Sequence, residues 1–392
     1  KEAAHEAYRS PYDYTLSQGD KLLALIRRIF HNSPEFRHDS LKHVARYAPY
    51  IPFFGAKANL SNSLQRVVSF ADHSNSLYFG NPIILAAGAN KTAKRIADYA
   101  NLGFGGITVG TATRNKREGN THKPRIGFLE EDRAIHNSMG LNNEGVDVIA
   151  KRVDEQLIYA HKKGLCVGVS VAETPGLTDE NDKIQDILDC FTRAYKAGDY
   201  IEINVSCPNT GENRLDLDTR FFETIFSEIM HLRNTLGVRK AVFAKLSPDL
   251  SLSGLQTLLD VVSRYGVKGV VLGNTYPTAK MESLPVNATW DSLTTLRADG
   301  DKGGLSGRPL YENMFQNVAF VRKNYPHLKV MACGGIDHGY KIFDLLQLGV
   351  CAVQCYSVVA FRWMAAHAMR RELLAALQGN GYKSLRDYDV AY

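Results

Sequence analysis

Eight short apolar segments recur along the chain from residue 83 onwards, and stretches with helical character separate them. Each segment is rich in Val, Ile and Leu and lacks the apolar–polar alternation of a strand that faces water on one side. Continuous apolar runs of this kind are typical of strands buried on both faces of a parallel sheet. The eight segments are 83–88, 105–110, 166–172, 200–206, 242–246, 268–273, 329–333 and 352–356.

Eight strand–helix units in one chain close most simply into a barrel. The 392 residues, 44% of them hydrophobic, can bury a large core without disulfide or metal staples. The six cysteines form no CxxC pair, which indicates reduced thiols rather than a secreted disulfide framework. We therefore predict an α/β fold: a (β/α)8 TIM barrel over residues 51–392, with a small N-terminal two-helix extension in residues 1–50.

The N-terminal extension is predicted from two short amphipathic patterns. Apolar residues recur at helical spacing between Leu22 and Phe30, and again between Leu41 and Ala48, before Pro49 ends the pattern. Both helices are net basic. They either cap the barrel or form a basic lid whose apolar face contacts a membrane surface. The chain has no run of 18 apolar residues, so the sequence predicts no membrane-spanning segment.

Lysines stand at the ends of two predicted strands, where barrel enzymes build their sites. The first strand ends in small residues followed by Lys91, which leaves room for a flat ring and offers an ammonium to a carboxylate. An ordinary strand-to-helix turn with a surface lysine is the alternative. The fifth strand ends at Lys245, and a buried lysine is costly unless it is paired, which favours a functional role. Long insertions at 111–142 and 274–308 follow strands two and six at the same rim.

Amides and a thiol follow the fourth strand. The segment 204–210 reads Asn-Val-Ser-Cys-Pro-Asn-Thr, and amides at this density suit a neutral, imide-like ligand because each is both donor and acceptor. Cys207 is either an inert buried thiol or a base or nucleophile whose pKa is lowered by nearby Lys91 or Lys245. Another amide-rich segment, 137–143, taken alone favours ordinary turn formation over ligand binding.

Glycine-rich segments follow the later strands at 303–309 and 334–337, and Tyr356-Ser357 follows the last. Backbone N–H groups in such loops form a phosphate cradle in many barrels. The chain contains neither a metal-binding motif nor a GxGxxG fingerprint after a strand. Its net charge of +6 fits an anionic ligand or a membrane surface and does not indicate nucleic acid. These residues predict a barrel that holds a flat, phosphate-bearing cofactor and no metal.

Four motifs in this order resemble those of the dihydroorotate dehydrogenases: the segments 81–91, 204–210, 303–309 and 334–337. The resemblance extends from about residue 20 to the C-terminus. The N-terminal helices and the GGLSGRP segment resemble the membrane-associated, quinone-reducing class 2 enzymes. Three positions depart from class 2: Cys207 stands where class 2 has serine and class 1 has cysteine, Ser170 stands where class 2 usually has asparagine, and Gly273 replaces a threonine.

The resemblance implies oxidation of dihydroorotate to orotate in pyrimidine biosynthesis, with FMN as cofactor and Cys207 as catalytic base. It implies that a membrane quinone, reached through the N-terminal helices, takes the electrons. The protein would then be peripheral to a bacterial inner membrane, on its cytoplasmic face, or to a mitochondrial inner membrane. The residues that match FMN contacts are Ala87, Gly88, Lys91, Thr111, Ser170, Asn204, Lys245, Ser306, Gly307, Gly334, Gly335, Tyr356 and Ser357. Those that match substrate contacts are Lys91, Asn137, Ser138, Met139, Gly140, Leu141, Asn204, Asn209, Asn274 and Thr275.

Three other functions are compatible with parts of the pattern. A soluble class 1 dihydroorotate dehydrogenase would use fumarate in place of quinone, and Cys207 and Ser170 resemble that class. A Schiff-base aldolase would use a strand-end lysine as its nucleophile and would be colourless. A barrel that only binds a ligand would not need so many polar strand ends.

Overall fold

The computed structural model describes residues 45–46, 63–72, 74–205, 219–287, 303–362 and 364–391. The two predicted N-terminal helices lie outside these ranges, apart from residues 45–46. Cys207 and Asn209 also lie outside them. The division at residue 50 and the roles of these two side chains therefore stay predictions.

Strands and helices alternate through the described residues. The strands are β1 (Arg66–Val68), β2 (Leu77–Phe79), β3 (Ile83–Leu85), β4 (Gly106–Ala112), β5 (Ile126–Leu129), β6 (Ala134–Asn137), β7 (Cys166–Val171), β8 (Tyr200–Asn204), β9 (Ala241–Leu246), β10 (Gly269–Leu272), β11 (Tyr276–Pro277), β12 (Gly304–Gly307), β13 (Lys329–Cys333) and β14 (Ala352–Cys355). The α-helices are α1 (Val146–Lys162), α2 (Glu180–Ala194), α3 (Thr219–Thr235), α4 (Leu252–Arg264), α5 (Tyr311–Asn324), α6 (Gly339–Gln347), α7 (Val358–Phe361), α8 (Ala365–Gly379) and α9 (Leu385–Ala391). Short 3-10 helices span Ile96–Leu102, Thr278–Ser283 and Arg308–Leu310.

Eight strands close into a barrel in the order β10-β13-β14-β3-β4-β7-β8-β9, and every pair within it is parallel. All eight correspond to the apolar segments of the sequence, so the predicted (β/α)8 TIM barrel is confirmed. Every residue of β4, β7 and β8 is buried. These strands lack alternation because one face meets the barrel interior and the other meets the surrounding helices.

The helices bury one stripe each against the barrel. In α2, Ile187, Cys190, Phe191 and Ala194 are buried at spacings of three and four residues. The Asp179 side chain caps the start of α2 by accepting a hydrogen bond from the backbone N–H of Asp182 at 3.0 Å. Among the described residues, no helix is long and apolar enough to cross a bilayer.

The N-terminal end of the barrel is closed by the antiparallel pair β1–β2. Phe70, Leu77 and Phe79 belong to one buried cluster with Tyr200 and Phe243, whose side chains fill this end of the barrel. The sequence did not predict this pair, because three-residue strands are too short to show a period. The opposite end of the barrel is left to form the site.

The two long insertions pair with each other in a four-stranded antiparallel sheet of order β11-β12-β6-β5. The hairpin β5–β6 comes from the insertion at 111–142, and β11 and β12 come from the insertion at 274–308. Gly304 pairs with Asn137 and Leu305 with His136. The sequence predicted both insertions at the C-terminal rim, but it did not predict that they share a sheet.

Candidate active site

A single cavity connects the carboxyl ends of the barrel strands with the antiparallel sheet. It spans about 1080 Å³ of space that protein atoms do not occupy, part of which is open to solvent. The predicted site residues on its wall are Ala87, Gly88, Lys91, Thr111, Asn137, Met139, Leu141, Asn204, Lys245, Asn274, Thr275, Ser306, Gly307, Gly334, Gly335, Tyr356 and Ser357. Residues that are more than 250 positions apart in the chain therefore meet at one rim.

Three predicted contact residues lie behind this wall. Ser170 is fully buried, and its hydroxyl lies 3.0 Å from that of Thr111, so it supports a lining residue. The hydroxyl of Ser138 lies 2.6 Å from Nε2 of His122. Gly140 packs tightly against Asn120, whose side-chain oxygen would be 2.3 Å from a Cβ at that position.

Glycines shape two parts of the wall. Gly88 has φ +104°, and a Cβ built there would have no heavy atom within 4 Å, because it would project into open space. Gly335 has φ +67° and approaches Tyr311 so closely that a Cβ would lie 2.6 Å from the Tyr311 backbone nitrogen. Both conformations favour glycine. The first leaves a slot against bare backbone, which fits a flat ring, and the second lets the loop after β13 pack directly against the start of α5.

A row of amides and hydroxyls crosses the cavity. Asn274 donates from Nδ2 to Oδ1 of Asn204 at 3.1 Å, and Asn204 donates to the hydroxyl of Thr111 at 3.1 Å. Each hydrogen bond fixes which edge of the amide remains for a ligand. The arrangement can recognise a ring that carries carbonyl and N–H groups.

Lys91 is oriented by an amide that the sequence analysis missed. Its ammonium donates to Oδ1 of Asn142 at 2.8 Å, and both residues line the cavity. Asn142 belongs to the amide-rich segment 137–143, but the sequence analysis assigned substrate contacts only to residues 137–141 of this segment. The pairing places a positive charge at the cavity wall, where it can meet a carboxylate.

Lys245 is only 3% exposed and has an acidic partner within the barrel. Its ammonium lies 3.4 Å from Oε1 of Glu202 and 3.4 Å from Oε1 of Gln354. The structure thus gives this buried strand-end lysine an acidic partner, and its functional role stays a prediction. The partners themselves were missed, although a Glu inside the apolar segment 200–206 was a visible signal.

Two cysteines lie close to the cavity floor, Cys333 and Cys355. Burial raises the pKa of the Cys333 thiol, against the opposing effect of the Lys245 charge. Burial also raises the pKa of Cys355. Both thiols are therefore neutral at physiological pH, which makes them poor bases.

The glycine loop after β13 is held by a charged cluster. Asp337 binds Nε of Arg308 at 2.9 Å, Nδ1 of His338 at 2.8 Å and the ammonium of Lys341 at 2.8 Å. Burial raises the pKa of Asp337, but the bonds from His338 and Lys341 outweigh it and hold the pKa well below its usual range. The cluster ties Gly334 and Gly335 to the starts of α5 and α6.

Comparison with known proteins identifies the family. The sequence profile of the family described as "Dihydroorotate dehydrogenase" matches residues 71–377. The dihydroorotate dehydrogenase (quinone) of Coxiella burnetii is 34% identical over 289 residues, which are 71% of this chain and 77% of that protein. The dihydroorotate dehydrogenase (quinone) of Halobacterium salinarum is 32% identical over 313 residues, 79% of this chain and 82% of that protein.

A solved structure of a dihydroorotate dehydrogenase also has the same fold as this chain. The crystal structure described as ligand-free DHODH from Eimeria tenella superposes with a TM-score of 0.75 at 27% identity, covering 91% of this chain and 98% of that chain. These findings favour the oxidoreductase over the Schiff-base aldolase and the binding-only barrel. With a matching barrel, a matching profile and curated relatives along most of its length, the chain belongs to the dihydroorotate dehydrogenase family.

Proposed function

We propose that the reaction of this protein takes place on an FMN held in the rim cavity. As a member of this family, the protein oxidises dihydroorotate to orotate with a quinone as electron acceptor. The single observation that carries the proposal is the composition of this cavity. It combines an open slot beside Gly88, a row of amides and two lysines. A flavin, a pyrimidine ring and a carboxylate need these three kinds of contact.

The residues present fit FMN. Gly88 leaves bare backbone on which the flavin ring system would lie. Lys245, on the cavity floor, would face the part of the flavin ring that accepts the electrons. The backbone of Gly334, Gly335 and Ser357 would hold the phosphate. When bound, FMN supplies the hydride acceptor of the reaction. Lys245 would stabilise the negative charge that hydride transfer brings to the flavin.

The amides would hold and orient the substrate. Asn137, Asn204 and Asn274 line the cavity, and their donors and acceptors match the carbonyl and N–H groups of the dihydroorotate ring. Lys91 would neutralise the substrate carboxylate. Holding the ring in one orientation beside the cofactor makes a bimolecular step effectively unimolecular. This effect is a large part of the rate enhancement that enzymes achieve.

Cys207 would remove the proton from C5 of dihydroorotate while hydride leaves C6. A thiol titrates closer to neutrality than a serine hydroxyl and needs less activation. Three residues before it in the sequence, Asn204 lines the cavity. This supports the assignment, which rests on the resemblance of the segment 204–210.

The quinone would approach an apolar side of the cavity. Ile126 and Tyr356 line the cavity and also belong to a cluster with Phe128 and Phe361, whose rings meet edge to face at 6.2 Å. Apolar groups are the contacts that a quinone needs. We place the protein at the surface of an inner membrane, with the basic residues 1–50 as the contact.

The acceptor is tested by assaying the purified protein with dihydroorotate and either a short-chain ubiquinone or fumarate. We expect turnover with the quinone to exceed turnover with fumarate by at least about 100-fold, a difference of roughly 2.7 kcal/mol in transition-state stabilisation. Comparable or faster turnover with fumarate would assign the protein to the class 1 type.

A further inference from the structure

A chain of buried polar side chains leads from the cavity floor into the barrel. Lys245 and Gln354 line the cavity, and Glu202 lies beneath them with no exposed surface. Gln354 donates from Nε2 to Oε2 of Glu202 at 2.7 Å, while the ammonium of Lys245 lies 3.4 Å from the other carboxylate oxygen. Both oxygens of the carboxylate are therefore engaged.

The chain continues away from the cavity. Nε2 of Gln354 also lies 3.4 Å from the hydroxyl of Thr108, which in turn lies 2.7 Å from the hydroxyl of Tyr200. All of these side chains are fully buried. The network has one end at the site and the other among the apolar side chains that fill the closed end of the barrel.

Stability alone does not explain an ion pair at this depth. Desolvating two charges costs several kcal/mol each, and replacing a buried pair by apolar residues of similar volume is often neutral or stabilising. Breaking such a pair by removing one partner, in contrast, is strongly destabilising, because the other charge is left uncompensated. The pair therefore calls for a functional explanation.

The neighbouring titratable groups do not supply the negative charge. Burial raises the pKa of the Cys333 thiol on β13 and of the Cys355 thiol on β14. Burial likewise raises the pKa of Tyr200 on β8, and the charge of Glu202 adds to this effect. All three are neutral at physiological pH. Among the described residues, Glu202 on the adjacent strand β8 forms an ion pair with Lys245, at 3.4 Å.

We propose that Glu202, oriented by Gln354, is a positioning residue that keeps Lys245 protonated and directed at the cofactor throughout the physiological pH range. The inference rests on the proposed function, because it assumes a flavin above Lys245. With Glu202 in place, the positive charge beneath the cofactor does not change with pH. Without it, Lys245 gives up its proton when the flavin is oxidised and takes one up when the flavin is reduced.

The test compares E202Q with wild type by spectroelectrochemical titration of the flavin-bound protein between pH 6 and 9. In E202Q we expect the midpoint potential to fall more steeply with pH, corresponding to about one additional proton taken up per two electrons over part of this range. The matched control is T108V, which alters the same network at its far end and should keep the wild-type slope. In E202Q/K245M the additional steepness should vanish, because no lysine remains to titrate.

Unfolding in urea provides a second measurement on the same proteins. A lysine whose folded pKa is depressed binds fewer protons in the folded than in the unfolded state, so stability rises with pH between the depressed pKa and its ordinary value. E202Q should show this rise, with up to about a tenfold change in the unfolding constant per pH unit. Wild type, T108V and E202Q/K245M should not.

The outcomes separate the two proposals. A wild-type protein without flavin absorbance would contradict the proposed function, while the urea measurement would still report on the ion pair. A flavin-bound E202Q with wild-type pH slopes in both measurements would overturn the inference alone. If E202Q does not fold, E202Q/K245M should still fold, because it leaves no unpaired charge; failure of both variants would show that Glu202 is a purely structural residue.

Discussion

Two lysines, five side-chain amides and several hydroxyls supply the polar side chains that line the cavity. The lysines differ in their surroundings: Lys91 is partly exposed and bound to an amide, whereas Lys245 is buried beside a carboxylate. In the proposed function, Lys91 meets the substrate carboxylate. In the proposed function, Lys245 faces the cofactor from the cavity floor. At the scale of single residues, the proposed function thus assigns substrate binding and cofactor stabilisation to two lysines with different surroundings.

Cys207 carries the sharpest prediction at this scale. In C207A we expect flavin to stay bound, since FMN contacts are assigned elsewhere, while the rate of flavin reduction by dihydroorotate falls by roughly 10²–10⁴-fold because the general base is lost. Stopped-flow measurement of flavin bleaching gives this rate.

The variant C207S serves as the matched control for the thiol. A serine hydroxyl ionises at much higher pH, so flavin reduction in C207S should be slower and should reach its maximum at higher pH than in wild type. Reduction of C207A within a few-fold of wild type would show that another group is the base.

Local backbone conformation decides the shape of the site at the scale of elements. The turn after β3 places Gly88 at positive φ beside the cavity, and the loop after β13 places Gly335 against the backbone of Tyr311. The charged cluster around Asp337 then holds the second loop between two helix starts. These loops are short and anchored, which suits a site that must be formed before its ligands arrive.

Substituting Gly88 by alanine tests the cofactor slot. The positive φ would cost about 1–2 kcal/mol of stability. The methyl group would project into the cavity, so we expect G88A to lose FMN affinity by at least about tenfold. Gly176 is the matched control, because it also has positive φ (+98°) with open space around its Cβ position, yet it does not line the cavity.

The comparison of these variants separates backbone strain from occupation of the slot. G176A should lose a similar amount of stability and keep the wild-type FMN affinity, measured by fluorescence titration of released flavin. Equal FMN affinity in G88A and wild type would contradict a flavin that lies against this backbone.

At the scale of the whole molecule, the barrel itself was predictable because a parallel sheet that is buried on both faces imposes continuous apolar segments on the sequence. Strand-end residues such as Lys91 and Asn204 were predictable because a closed parallel barrel gathers all carboxyl strand ends at one rim. The pairing of the two insertions was not, since contacts between residues such as Asn137 and Gly304 leave no local period.

The buried partners were missed for a related reason. Glu202 and Gln354 lie within apolar strand segments, where a sequence shows that a polar side chain is present but not which strand lies next to it. Only the strand order of the closed barrel places β8 next to β9 and places Gln354 of β14 on the opposite side of the barrel. Nearest-neighbour contacts inside a barrel therefore need the three-dimensional structure.

The central claim is that one rim cavity holds a flavin together with the pyrimidine that reduces it. Anaerobic addition of one equivalent of dihydroorotate to the purified protein, followed by visible absorbance, tests it most directly. We predict a yellow protein whose flavin absorbance bleaches nearly completely and returns when a quinone is added. A colourless protein, or a flavin band that dihydroorotate leaves unchanged, would contradict the account.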